Sequence, residues 1–71
     1  MYAFAKSMRK AEHIRRYSIQ PTNTGWEVRT EQDSQVVRQA RYQDWHRVEH
    51  VRRAFVIELS HLRDQGWQEV Q

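Results

Sequence analysis

Hydrophobic positions recur at helical spacing over one long stretch of the chain, residues 44–65. On a helical wheel of about 100° per residue they fall within roughly 80° of one another, which predicts an amphipathic helix with one core-facing stripe. The stripe consists of Val48, Val51, Phe55, Leu59 and Leu62, with Trp45 at its edge. Asp44 is the expected N-cap, and Gly66 is expected to end the helix in a left-handed conformation so that Trp67 folds back onto Leu62.

Alternation of apolar and polar residues predicts three strands ahead of this helix. These strands are residues 13–20, 25–31 and 35–42. Pro21 is expected to end the first strand because it cannot donate to a sheet ladder. Arg38 interrupts the apolar face of the third strand, so the register of that strand is left open. The side chains expected to face the helix are Tyr17, Ile19, Trp26, Val28, Val36 and Tyr42.

The N-terminal segment follows a different pattern. Phe4, Met8 and Ala11 stand at helical spacing among basic residues, which indicates a short helix or a mobile arm. The predicted fold class is therefore α+β, a three-stranded antiparallel β-meander packed on one long C-terminal α-helix, with a short N-terminal helix or flexible arm. We expect the arm over residues 1–12, a single β-β-β-α domain over 13–68 and a tail over 69–71.

Composition limits the sources of stability and the compartment. The chain has 71 residues, enough for one small domain, and contains no cysteine, so disulfides and thiolate metal sites are excluded. Self-association is then an available source of stability. No apolar run approaches the roughly 20 residues of a membrane span, and the first 20 residues lack the apolar core of a signal peptide. We therefore predict a cytoplasmic protein without a membrane partner.

The formal charge of +3 is unevenly distributed. Residues 1–16 hold five basic residues and one acidic residue, whereas the rest of the chain is nearly neutral. The predicted strands place one arginine each on the solvent side of the sheet, where they can contact phosphates. The alternative interpretation is that these arginines only keep the exposed sheet soluble. The candidate nucleic-acid contacts are Lys6, Arg9, Lys10, Arg15, Arg16, Arg29 and Arg41.

The succession of GWEVR, a turn, VVRQARY and a helix resembles the three-stranded-sheet-plus-helix modules by which some phage-type integrases enter the DNA major groove. The order of elements is also similar to the α-β-β-β-α order of double-stranded-RNA-binding domains. Asp44 and Trp45 stand where that RNA-binding module has a lysine-rich helix start. Both resemblances cover about residues 13–66 and concern topology alone, so they imply a nucleic-acid surface without assigning roles to residues.

A second candidate surface lies on the predicted helix, away from its core stripe. Three histidines fall within roughly 60° of one another on the wheel, with an isoleucine in their midst. Imidazole is amphipathic and tolerates partial burial, so this face can dock a second copy of the helix or the N-terminal segment. The alternative is an ordinary exposed face with one apolar residue. The candidate self-association residues are His46, His50, Ile57 and His61.

Sequence signals for catalysis are weak. Residues 46–50 read H-x-x-E-H, the arrangement of inverted zinc peptidases, but no third ligand follows and the chain is too short to build a peptidase cleft. No serine stands in a G-x-S-x-G motif, and there is no glycine-rich phosphate loop. We therefore expect a protein that is not an enzyme, with no catalytic residues, no cofactor, no metal ligand and no small-molecule substrate.

Two functional hypotheses follow from these patterns. The preferred one is a small non-catalytic interaction module that self-associates, with a homodimer or another protein as its partner. The alternative is a nucleic-acid-binding protein that uses the basic N-terminal arm and the arginines on the exposed sheet face.

Overall fold

A computed structural model describes residues 2–70, so that positions 1 and 71 of the predicted arm and tail lie outside the described residues. The elements are β1 (Phe4–Lys10), β2 (His13–Thr22), β3 (Gly25–Gln32), β4 (Gln35–Tyr42), α1 (Trp45–Asp64) and β5 (Gln68–Val70). The strands form one antiparallel sheet in the order β4-β3-β2-β1-β5. The predicted α+β class and the packing of an antiparallel sheet on one helix are confirmed. The three-stranded meander is wrong, since the sheet has five strands.

The N-terminal segment is a strand, and the predicted short helix or flexible arm is wrong. β1 pairs with β2 along its whole length, beginning with Phe4 opposite Ile19. Met8 is fully buried, and the Phe4 ring lies 5.9 Å from the Phe55 ring between centroids. A spacing of four residues fits two periods of a strand as well as one turn of a helix. Because this segment is a strand, the similarity to the α-β-β-β-α order does not hold.

β5 extends the sheet past the predicted end of the domain. This three-residue strand pairs antiparallel with β1, with Val70 opposite Ser7. The Glu69 carboxylate accepts from Lys6 Nζ at 3.2 Å and from Arg63 Nη2 at 2.9 Å. These two cations, Lys6 foremost, hold the pKa of Glu69 below its ordinary value. The ion pairs therefore connect the end of α1 to β5 and β1.

The hydrophobic core lies between α1 and the side of the sheet that faces it. Its buried side chains are Met8, Tyr17, Ile19, Val28, Val48, Phe55 and Leu59. The Tyr17 ring meets the Phe55 ring edge-on, with centroids 4.9 Å apart. Burial raises the pKa of the Tyr17 phenol, whose oxygen accepts a hydrogen bond from Arg15 Nε at 2.8 Å. The predicted helix stripe is confirmed, because three of its members belong to this core.

Both ends of α1 follow the predicted capping chemistry. The Asp44 carboxylate accepts a hydrogen bond from the His46 backbone N–H at 2.9 Å. At the other end, Gly66 has φ of 98° and the Trp67 N–H donates to the Leu62 carbonyl at 2.9 Å. That bond is the Schellman closure, which satisfies a terminal carbonyl and packs Trp67 back against the core.

A bulge in β4 decides which of its side chains face the helix. Thr30 of β3 stands opposite Arg38, whereas the next residue, Glu31, stands opposite Val36. Val37 is therefore the extra residue of the bulge. The resulting shift of one residue in the register between β3 and β4 places Val36 on the face away from α1. The prediction that Val36 belongs to the core is wrong, and its side chain is 49% exposed.

β2 continues for two residues beyond its predicted end. Pro21 stands opposite Trp26 of β3 within the sheet. β1 begins at Phe4, opposite Ile19, so within residues 2–70 no strand flanks Pro21 on that side. A proline is tolerated in a strand where no ladder needs its missing N–H.

Candidate binding surface on the open face of the sheet

One face of the sheet carries no helix within residues 2–70, because α1 packs on the other face. We call this surface the open face, and its side chains follow from the register, since cross-strand partners share a face. They are Ala5, Ser7, Arg9, Ile14, Arg16, Ser18, Gln20, Glu27, Arg29, Glu31, Val36, Gln39, Arg41, Gln68 and Val70. Four arginines and two glutamates give this face a formal charge of +2.

The four arginines lie on one diagonal of the open face, with one arginine on each of β1 to β4. We call this diagonal the arginine stripe: Arg9, Arg16, Arg29 and Arg41. Arg9 stands opposite Ile14, which precedes Arg16 by two residues in β2. The same shift of one strand and two residues recurs at both later steps. With strands about 4.8 Å apart and about 6.8 Å between alternate residues, each step is about 8 Å and the stripe about 25 Å long.

A buried carboxylate, that of Glu27, lies between two arginines of the stripe. Glu27 is only 5% exposed although no helix covers it. It accepts hydrogen bonds from Gln39 Nε2 at 2.9 Å, Arg29 Nη2 at 3.0 Å and Arg41 Nε at 3.2 Å. The Gln39 hydrogen bond and then the two guanidinium groups keep the pKa of Glu27 below its ordinary value. An ionised Glu27 therefore orients Arg29 and Arg41 and compensates part of their charge.

Most N–H donors of the stripe are not used inside the protein. A guanidinium group has five such donors. Arg9, Arg29 and Arg41 each donate one side-chain hydrogen bond within the described residues, and Arg16 stands over the Tyr2 ring at 5.6 Å from its centroid. Guanidinium groups with unused donors are suited to bidentate contacts with phosphate oxygens.

Three other basic residues of the candidate nucleic-acid set lie on the helix side of the sheet. Lys6 forms the ion pair with Glu69 described above, and Lys10 Nζ donates to the Gln65 carbonyl at 2.6 Å. Arg15 is bonded to the buried Tyr17 phenol. The structure therefore separates Lys6, Lys10 and Arg15 from the stripe and brings Arg9 into it.

Sequence reasoning missed Glu27 and the place of Arg9 in the sheet. Alternation within β3 predicts that Glu27 lies on the solvent side of its strand. Its burial depends on Gln39 and Arg41, which belong to the neighbouring strand β4. The helical spacing of Phe4, Met8 and Ala11 predicts that Arg9 belongs to a helix or arm, whereas Arg9 lies in β1. The signal that identifies β1 is the alternation of Phe4, Lys6 and Met8 with Ala5, Ser7 and Arg9.

The histidine face of α1, formed by His46, His50, Ile57 and His61, is exposed to solvent. The His46 and His50 rings contact each other, with centroids 4.9 Å apart. Ile57 is 57% exposed and adjoins Val56, another exposed aliphatic side chain. The helix thus keeps an imidazole-bearing and partly apolar surface away from the sheet.

The glutamate of the H-x-x-E-H motif is held by neighbouring cations. Glu49 accepts from Arg52 Nη2 at 2.6 Å and lies 3.6 Å from Arg53 Nε. The Arg52 hydrogen bond is the main reason why the pKa of Glu49 lies below its ordinary value. Among residues 2–70, no group of three or more His, Cys, Asp or Glu side chains is arranged to hold a metal ion. This arrangement does not favour a water-activating base.

An apolar cavity of about 170 Å³ opens between β4 and α1. Ala40, Val51 and Phe55 contribute to its walls. Arg38 also lines the cavity, and its Nη2 donates to both carboxylate oxygens of Glu58 at 3.2 Å. Pockets that bind small molecules usually measure roughly 300–1,000 Å³. We therefore assign no ligand to this cavity.

Comparison of the chain with protein-family models, with curated proteins and with solved structures finds no match. In the part of the chain that the structure describes, no helix is long and apolar enough to cross a membrane.

Proposed function

We propose that this protein is a non-catalytic binding module that contacts the phosphate backbone of nucleic acids through the arginine stripe. The observation that supports this proposal is the register of the sheet, which aligns one arginine from each of four consecutive strands. A strand of nucleic acid advances about 3.4 Å per nucleotide along a duplex axis, so a stripe of about 25 Å corresponds to roughly seven nucleotides. Contacts to phosphates carry no sequence information by themselves, so we expect binding without sequence preference.

The predicted affinity is strongly dependent on salt. Neutralising four phosphates gives a slope of log K against log salt of about −3.6 for duplex DNA and about −2.8 for a single strand. Affinity should therefore fall roughly 50- to 150-fold between 50 and 200 mM salt. Glu27 reduces the field of the stripe but keeps two of its arginines in place.

The experiment is fluorescence anisotropy with labelled 12-nucleotide oligonucleotides, single-stranded and duplex, across a salt series. Substitution of Arg9, Arg16, Arg29 or Arg41 by alanine should weaken binding to all sequences and reduce the salt slope by about one. The matched control is Arg53→Ala, which removes an exposed arginine from α1. Equal losses in the control and in the stripe variants would refute the stripe as the binding surface.

A second candidate function is self-association through the histidine face. The specific observation in its favour is the neighbouring pair of exposed aliphatic side chains, Val56 and Ile57, on a helix that otherwise buries its apolar stripe. Phe4 and Met8 pack with the core, so they are not available to this interface. A two-fold interface would use the same helix surface twice.

Sedimentation velocity tests this second candidate. Ile57→Lys should convert a dimer to a monomer, whereas Val36→Lys, an equivalent change on the open face, should not. A wild-type monomer at high micromolar concentration and pH 7.5 would rule this candidate out.

A further inference from the structure

We propose that His46 and His50 form a binding site for a divalent transition-metal ion of the Cu²⁺, Ni²⁺ and Zn²⁺ class. The two residues are one helical turn apart, so their side chains project from the same face of α1. Neither ring makes a hydrogen bond to another side chain or to the backbone within residues 2–70. The pair is independent of the arginine stripe. This proposal replaces the expectation from the sequence that the protein has no metal ligand.

The separation of the two rings suits a shared ion. A zinc ion binds imidazole nitrogen at about 2.0–2.1 Å, and two such ligands at an angle between 90° and 109° place their ring centroids roughly 4.5–5.3 Å apart. The His46 and His50 centroids are 4.9 Å apart. Their planes are inclined by 88°, and rotation of a ring about its Cβ–Cγ bond redirects its nitrogens while the centroid stays nearly in place. Both side chains are exposed, which leaves room for that rotation.

The surroundings of the pair leave the remaining coordination positions open to water or to a second copy of the chain. A small pocket beside the rings is lined by His46, Glu49, His50 and Arg53. The Glu49 carboxylate is engaged by Arg52, and its charge offsets that of Arg53. With imidazole donors alone, affinity should follow the order Cu²⁺ above Ni²⁺, with Zn²⁺ below Cu²⁺.

The test uses tag-free full-length protein and isothermal titration with copper, nickel and zinc chlorides at pH 7.5. We expect saturable binding at one ion per chain, or one per two chains where a second copy completes the site. His46→Ala and His50→Ala should each weaken binding roughly tenfold or more, because one imidazole cannot chelate. The matched control is His13→Ala, which removes a histidine from β2 that is bonded to Asp33. Unchanged affinity in both helix variants, or an equal loss in the control, would overturn the proposal.

A second readout does not depend on substitutions. Substoichiometric Cu²⁺ broadens the nuclear magnetic resonance signals of its own ligands. The ring protons of His46 and His50 should broaden first, while those of His13 and His61 stay sharp. Earlier broadening at His13 or His61 would place the ion elsewhere and contradict the assignment.

Discussion

Met8→Ala tests whether the N-terminal segment is an integral strand of the fold. In a mobile arm, the Met8 side chain would be exposed to solvent. In the structure it is fully buried, and β1 lies between β2 and β5. The two descriptions of this segment therefore predict different effects of the same substitution.

The size of the effect follows from the burial of the side chain. Truncating a buried methionine to alanine costs about 2–5 kcal/mol, because transfer free energy is lost and a cavity remains. A domain of this length is stable by roughly 4–11 kcal/mol in total. Each kcal/mol lowers Tm by about 4–8 °C in domains of 60–100 residues, so Met8→Ala should lower Tm by roughly 8–40 °C.

Urea denaturation followed by tryptophan fluorescence measures this change directly. The matched control is Ile14→Ala, which truncates a 39% exposed aliphatic residue on the open face of β2. We expect Ile14→Ala to lower the free energy of unfolding by only about 0.5 kcal/mol. A Met8→Ala variant as stable as the control would refute the burial of Met8 in the core and would favour a mobile N-terminal arm.

Three further predictions concern single positions. Gly25→Ala should destabilise by about 1–3 kcal/mol in urea denaturation, because a Cβ there collides with the Tyr42 carbonyl oxygen. Asp44→Ala should cost about 1 kcal/mol in the same assay, through loss of the N-cap. The pKa of Glu27 is lower in the folded chain than in the unfolded chain, so its stabilising effect is present above the unfolded pKa and is lost as pH falls through the folded pKa. Urea midpoints between pH 6 and pH 3 should therefore fall less steeply in Glu27→Gln than in the wild type.

Local chemistry made the helix predictable and left the edges of the sheet undetermined. The caps of α1 depend on Asp44 and Gly66, whose effects act within one turn, so the sequence alone locates both ends. The spacing of Phe4 and Met8 satisfies helix and strand periods alike, and only the partner strand distinguishes them. β5 is three residues long, too short for any periodicity, and its pairing depends on contacts made by the end of the helix.

The candidate surface could be predicted only in part, for a related reason. Alternation within each strand suffices to put Arg16, Arg29 and Arg41 on the solvent side of the sheet. Their alignment with Arg9 depends on the register between strands, which turn geometry and side-chain packing determine together. The burial of Glu27 likewise depends on side chains from a neighbouring strand. The features that could not be predicted are therefore those that depend on contacts between neighbouring strands.

The most direct test of the central proposal is the salt dependence of nucleic-acid binding by the wild type and by a variant with all four arginines of the stripe replaced by alanine. We predict a slope of log K against log salt for the wild type of about −3.6 on duplex DNA and about −2.8 on a single strand, and a slope near zero for the variant, with circular dichroism confirming that both proteins are folded. A folded variant that keeps the wild-type slope, or a wild type that binds no nucleic acid at 50 mM salt, would contradict the proposal.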